Sequence, residues 1–326
     1  MSFDEKLNNY FSNLTIKLSS KPANNLVHIY ADYIEIVSLF SNQNYVSTTD
    51  ILDRFHDEGI ILKNKSDEEQ SEHNDENERW INSVYRVLSE REQLYSNDYP
   101  FEFLGNNKIK LKNTNELTDK HKLYVFLLIA SSLNIFSSFE SELTSEFELV
   151  CFHVLSKYLP QHAVIKSFGK NTTYVGTAID KIKSLATDLK VEVDEDFLNK
   201  ISAKGNMDRG LDIIGWIPFA DNVSNHLSLL CQCACGKEWY KKLIETRRYE
   251  RYYKFYCNKP NHAMFIPYSL INYQGSDFFQ ADEISVDTVL FERKRIINYI
   301  DDLTFFTPLN SKKLVDKCIE FEEDIV

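Results

Sequence analysis

The sequence predicts a mixed α/β protein in two parts, a mainly helical region over residues 1–115 and an α/β region over residues 116–326. Three observations lead there. Residues 26–58 repeat their apolar positions with helical period. Residues 209–239, RGLDIIGWIPFADNVSNHLSLLCQCACGKEW, read as two apolar, β-branched runs joined by the turn-forming segment Ala220-Asp221-Asn222-Val223-Ser224-Asn225. Helical patterns and short strand patterns then alternate on both sides of that hairpin.

Composition bounds the function. At 326 residues, 43% hydrophobic and 13% aromatic, the chain can bury a sizeable core. No apolar run approaches eighteen residues, and the opening MSFDEKLNNY lacks the order of a secretion signal, so a cytoplasmic protein that does not enter a membrane is expected. The six cysteines are too few and too unevenly spread for a disulfide framework. A net charge of −12 argues against a surface that coats nucleic acid. Residues 237–259 run the other way, with eight basic side chains against three acids, so phosphate contacts are expected from that segment.

In the first region LVHIYADYIEIVSLF is one helix, and TTDILDRFHDEG a second, capped by Ser47, Thr48 or Thr49 and stopped by Gly59. This opening resembles a winged helix. Residues 64–79 hold seven acids and almost nothing apolar, and a mobile loop is expected there. Trp80, Val84, Val87 and Leu88 restart a helix. FEFLGNNKIKLK then reads as a hairpin turning at Gly105-Asn106-Asn107, in the place of the wing. The helix over 78–92 carries as many acids as bases, which favours a protein-docking or structural module over a sequence reader.

In the second region residues 117–139 read as one strongly apolar helix. The next helix carries Glu148, which also fits a capping box beginning at Ser145. Residues 170–205 read as an insertion leading into the first hairpin strand. Asp212 is the one carboxylate in that strand run, and an acid between Leu211 and Ile213 needs a partner or a metal. Alternation on the second strand turns Cys231, Cys233 and Cys235 one way and Gln232 and Ala234 the other. Residues 239–256 read as a long aromatic and basic helix. A short strand follows at 265–267, and residues 287–303 read as a strand running into a helix that exposes Arg293, Lys294 and Arg295.

Asp212, a turn, and Gln232-Cys233-Ala234 at the end of an apolar strand resemble the core of the PD-(D/E)xK nucleases, the restriction-endonuclease-like fold. That resemblance implies a core sheet flanked by helices and a Mg²⁺ or Mn²⁺ ion held by Asp212, Gln232 and Glu148, the last supplied by the preceding helix. Hard oxygen ligands of this kind suit such an ion. The family places a lysine two residues after the second ligand. Ala234 stands there, so Lys237 is the candidate stand-in cation, with Lys241 the alternative; both also read as solvated lysines at a helix start. DNA contacts are expected from Lys241, Lys242, Arg247, Arg248, Arg251, Arg293 and Arg295. Cys233, Cys235, Cys257 and His262 form a competing set with the ligand types of a structural Zn²⁺, and equally read as buried residues.

The resulting expectation is a metal-dependent DNA endonuclease, or a nuclease-like subunit held in check by protein partners in a multi-protein bacterial anti-phage complex. Two rivals remain open: an assembly subunit that keeps the fold without catalysis, and a winged-helix transcriptional regulator.

Overall fold

A computed structural model describes residues 2–18, 26–43, 45–61, 67–201, 209–255, 258–272, 277–279, 282, 284 and 287–322, over 67–74 the backbone alone. The chain divides into two units. The first comprises Met1–Glu142, Tyr268–Phe279 and Asp302–Val326, the second Leu143–Pro267 and Gln280–Asp301. No described helix is long and apolar enough to cross a membrane.

The first unit is built around α2 (Val27–Phe40), buried on all sides except at its first residue, which suits its apolar composition. α1 (Phe3–Ser12) precedes it and starts at a Ser2–Glu5 capping box. After β1 (Val46–Ser47), Ser47 is the residue that caps α3 (Thr48–Asp57), in a reciprocal pair with Asp50. Gly59, at φ +69°, supplies the left-handed conformation past that helix's end.

α4 spans Asp67–Tyr95, so residues 67–79 are helical where a loop was expected; 64–66 lie outside the described residues. The buried stripe Ile81, Val84, Tyr85 and Leu88 anchors the helix, and a Glu- and Gln-rich lead propagates it upstream because those residues favour helix. β2 (Phe101–Phe103) and β3 (Lys108–Leu111) form the expected hairpin, with Gly105 at φ +75° in its turn. β1 pairs antiparallel with β3, Val46 opposite Ile109, giving a three-stranded sheet of order β1-β3-β2.

α5 (Asp119–Ser131) is capped by Thr118 and ends eight residues before the expected limit at Phe139. Polar Ser131, Ser132 and Asn134 interrupt the apolar run, and a short 3₁₀ turn, Ser137–Phe139, follows. A C-terminal helix, Asn310–Glu320, completes the unit.

One buried polar network ties these helices together. The Arg91 guanidinium of α4 lies 2.7 Å from Asp32 Oδ1 and 2.9 Å from Glu35 Oε2, both on α2, and donates to the His28 carbonyl at 3.1 Å. Tyr99 and Tyr124 hydroxyls donate to Glu35 Oε1, and Ser131 Oγ donates to Asp32 Oδ2. Every carboxylate oxygen of the pair therefore has a donor, which is what makes two acids tolerable in a core. Burial opposes the Arg91 charge, but Glu35 and Asp32 outweigh it and hold its pKa well above the ordinary value.

The second unit is a mixed sheet flanked by helices. It opens in α6 (Glu140–Tyr158), followed by β4 (Val164–Ser167), α7 (Ala178–Leu189), β5 (Glu192–Val193) and α8 (Glu195–Leu198). The hairpin strands are β6 (Ile213–Ile217) and β7 (Leu227–Cys233). α9 (Tyr249–Tyr252), β8 (Tyr253–Lys254), β9 (Asn261–Phe265), β10 (Thr288–Phe291) and α10 (Arg293–Asn298) complete it. The central sheet runs β10-β9-β7-β6-β4, antiparallel from β4 to β7 and parallel from β7 to β10.

Alternation assigns the two faces. A Cβ on Gly215 would touch Leu155 and Leu159, so that face of β6 lies on α6. Ile214, Trp216 and Leu230 point the other way, into a cluster with Ile182, Leu185 and Leu189 of α7 and with Tyr249 and Tyr253.

Residues 239–255 do not form the long helix expected over 239–256, whose last residue lies outside the described ones. They make two 3₁₀ turns, Trp239–Lys242 and Glu245–Arg248, before the single turn of α9. Buried Leu243, Thr246, Tyr249 and Tyr252 recur every third residue, the period of a 3₁₀ helix rather than an α-helix. Arg293 is likewise not exposed but fully buried, its Nε donating to the Pro267 carbonyl at 2.8 Å.

The Arg91 network makes a direct prediction. Arg91→Met leaves two buried carboxylates without their cation and is expected to lower the unfolding free energy in urea by about 3–5 kcal/mol. A loss under about 1 kcal/mol would mean that the network is not the tie inferred here.

Candidate functional site

The site begins where β6 begins. Gly210, at φ +82°, turns the chain into the strand, and the next residues take up pairing with both neighbours. The Asp212 N–H donates to the Cys231 carbonyl at 2.9 Å, and the Asp212 carbonyl accepts from Phe168 N–H at 2.7 Å and Gly169 N–H at 3.0 Å. Its side chain carries the pairing one step further, for Oδ2 accepts the Cys233 N–H at 2.7 Å. A buried acid at a strand end is thereby used as a backbone acceptor.

The second acid arrives from α6. Glu148 sits mid-helix, eight residues past the helix start, so the capping role open to it from the Ser145 spacing does not apply. It is 8% exposed, and its Oε2 accepts the Lys170 N–H at 2.9 Å. Gly169 lies between the two acids. A Cβ placed on it would stand 2.7 Å from Asp212 Oδ1 and 2.8 Å from Glu148 Oε2. Two carboxylate oxygens, from a helix and from a strand, thus converge on one point beside a residue that must lack a side chain.

Gln232 is turned to the opposite layer. Cys233, its neighbour in β7, packs against Cys151 on the α6 side, whereas Gln232 Nε2 donates to Glu245 Oε2 at 2.7 Å. Its carbonyl oxygen Oε1 is buried without a hydrogen-bond partner. The structure therefore joins two of the three expected ligands and leaves the third beside Glu245.

The cations divide in the same manner. Lys237 is half-buried, and burial lowers its pKa toward the neutral amine. Lys241 is exposed and ion-paired with Glu238, so it is not poised over the acids. Lys170 reaches Thr144 Oγ1 at 2.6 Å from the loop that also holds Glu148.

Of the expected phosphate-contacting residues, Lys242 and Arg251 are exposed, Arg247 pairs with Asp287 at 3.4 Å, and Arg248 pairs with Glu245 at 3.8 Å. Arg295 donates to the Leu290 carbonyl, and buried Arg293 has no route to a ligand surface.

The thiols line the α6 side. Burial first, then the Cys151 thiol and the Asp212 and Glu148 carboxylates, hold the Cys233 thiol well above its ordinary pKa. A thiol kept protonated is a poor nucleophile. His262 of the alternative zinc set is engaged at both ring nitrogens, by Thr246 Oγ1 at 2.9 Å and Glu250 Oε1 at 3.0 Å, and Cys257 lies outside the described residues.

Among the described residues no group of three or more His, Cys, Asp or Glu side chains is placed to hold a metal. The two carboxylate oxygens that meet at Gly169 are hard donors of the kind Mg²⁺ takes, whereas the Gln232 amide oxygen lies in the opposite layer and does not join them. That ion commonly takes one or two carboxylates and keeps waters.

Gly169 and Lys170 escaped the reading of the sequence, which placed residue 170 at the head of an insertion. The signal was present in Ser167-Phe168-Gly169-Lys170, a glycine directly after an apolar strand, which marks close backbone approach. Compared with protein-family models, curated proteins and solved structures, the chain matches none.

Gly169→Ala tests the convergence. The new methyl must displace both carboxylates or the Asp212 backbone, whose Cα would stand 3.2 Å away, and a loss of about 1–3 kcal/mol in unfolding free energy is expected. Gly236→Ala, with nothing within 4 Å of the added carbon, serves as the control and should leave stability unchanged. Equal stability of the two variants would contradict the geometry.

Proposed function

We propose that the second unit is a nuclease-like module whose acidic pair, Asp212 and Glu148, serves metal-assisted hydrolysis of phosphodiesters. The observation that carries this reading is the meeting of the two carboxylate oxygens at Gly169. The resemblance to PD-(D/E)xK nucleases supports it, because Asp212 precedes β6, Gln232 lies on the paired strand, and Glu148 projects from the preceding helix.

A divalent ion held by Asp212 and Glu148 supplies a polarised phosphate and an acidified water. The chain's own groups do the rest. The Cys233 N–H holds Asp212 Oδ2 and leaves Oδ1 toward Gly169, whereas the Lys170 N–H holds Glu148 Oε2, the same oxygen that lies against Gly169. Lys237 lies just past β7, and burial lowers its pKa, which makes it the candidate for proton transfer in this reading. Lys242 and Arg251, exposed on the segment after β7, are the residues best placed by their exposure to meet a phosphate backbone.

In the first unit the order α2-β1-α3-α4-β2-β3, with β1 pairing β3, resembles a winged helix. The described exposed positions of α4 include Asp75, Glu76 and Glu78 against Arg79 and Arg86, which supports docking to a protein rather than reading of DNA.

One observation favours a second reading, an assembly subunit without catalysis. Ala234 occupies the family's lysine position, and Gln232 is held by Glu245.

A plasmid-nicking assay with Mg²⁺ or Mn²⁺ separates the two. The nuclease reading predicts nicking by wild type and a drop of roughly 100-fold in Asp212→Ala and Glu148→Ala. It predicts a rate optimum moved in pH by Lys237→Ala and no change in Lys241→Ala. Nicking that persists undiminished in Asp212→Ala overturns it, and DNA binding without nicking by any form supports the assembly subunit.

A further inference from the structure

One cation is built into the surroundings of the acid pair, and the chemistry assigned above leaves its charge unused. Lys170 follows Gly169, the residue at which Asp212 Oδ1 and Glu148 Oε2 meet, and its N–H donates to Glu148 Oε2 at 2.9 Å. Its side chain runs elsewhere. The ammonium donates to Thr144 Oγ1 at 2.6 Å, and the next residue, Asn171, fastens the same loop to α6 by donating from Nδ2 to the Ser145 carbonyl at 2.8 Å.

Helix geometry fixes where that charge stands. Thr144 and Glu148 are four residues apart in α6 and share a face, one turn or about 5–6 Å from each other. The Lys170 ammonium is thus held one turn from the acid pair, on an exposed residue, and among the described residues it enters no ion pair. The buried Cys235 thiol reports the same neighbourhood: burial, Cys151 and Glu148 raise its pKa, and the Lys242 and Lys170 charges oppose them. Other cations of the β7 side are engaged, Lys241 by Glu238, Arg247 by Asp287 and Arg248 by Glu245. An ammonium kept close to two carboxylates but tied to a neutral hydroxyl leaves the acids to a cation and is itself open to an anion.

We propose that Lys170 is the substrate-binding residue that holds a backbone phosphate of a nucleic-acid strand at the acid pair, with Thr144 as the anchor that keeps its ammonium there. The proposal rests on the nuclease reading and adds to it the group that receives the strand. An ammonium has three donors, and those not given to Thr144 suit the non-bridging oxygens of a phosphate. A contact to phosphate carries no base preference, so Lys170 serves every sequence alike.

Two measurements on the full chain test it and separate it from the reading beneath it. Anisotropy of a labelled phosphorothioate oligodeoxynucleotide, which resists cleavage, reads affinity across a salt series in Mn²⁺, and electron paramagnetic resonance reads the bound Mn²⁺. Lys170→Gln is expected to weaken strand binding about tenfold and to lower the slope of log K against log salt by about 1, with Mn²⁺ binding retained. Lys170→Arg, which keeps the charge, should hold most of the affinity. Thr144→Val, which removes only the anchor, should cost less than Lys170→Gln, and Lys241→Gln should change neither readout. Affinity and slope unaltered in Lys170→Gln beside retained Mn²⁺, or no strand binding by a wild type that holds Mn²⁺, overturns the assignment of Lys170 and leaves the acid pair as a metal receptor. A wild type that binds no Mn²⁺ overturns the nuclease reading and this proposal with it.

Discussion

The second unit depends on one hydrogen bond that is not part of any regular ladder, the Cys233 N–H to Asp212 Oδ2. With it, a single residue serves three segments. Asp212 accepts from Phe168 and Gly169 through its carbonyl, donates to Cys231 through its amide, and receives β7 through its side chain. A carboxylate buried at this depth is tolerable only because its partners are fixed in advance by the register of β6 and β7, Ile213 opposite Cys231. The same register brings Gly169 against the acid, where an added Cβ would stand 2.7 Å from Asp212 Oδ1.

The proposed metal-assisted chemistry rests on that arrangement. Two carboxylates held close together repel each other unless a cation or a proton offsets the charge. The cysteines around it, Cys151 and Cys233, bring no charge of their own because burial and the adjacent acids keep both thiols protonated. In the first unit the acids Asp32 and Glu35 are handled in the opposite manner, with Arg91 and three hydroxyls filling every acceptor site. One pair is closed off by Arg91 and the hydroxyls; the other lies against a glycine.

Much of this was legible in the residues. The hairpin over 209–239 was readable because β-branched runs flank a polar turn, and Asp212 stood out as an acid within an apolar strand. Ser47 and Gly59 marked the limits of α3 by their known roles at helix ends.

What could not be read were features decided by tertiary packing. The 3₁₀ turns after β7 arise because buried Leu243, Thr246, Tyr249 and Tyr252 sit three apart, a spacing that an aromatic and basic composition alone does not reveal. Arg293 looked like a surface cation and is buried against the Pro267 carbonyl. Gln232 followed the strand parity anticipated for it, away from Cys233, and that same parity turned it to Glu245 rather than to the acids.

The central claim is that Asp212 and Glu148 form one receptor for a divalent cation. The most direct measurement is a Mn²⁺ titration followed by electron paramagnetic resonance, without nucleic acid. The account predicts one bound Mn²⁺ per wild-type chain, lost in both Asp212→Asn and Glu148→Gln while each variant remains folded. Retention of the bound ion in either folded variant, or none bound by wild type at millimolar Mn²⁺, would contradict it.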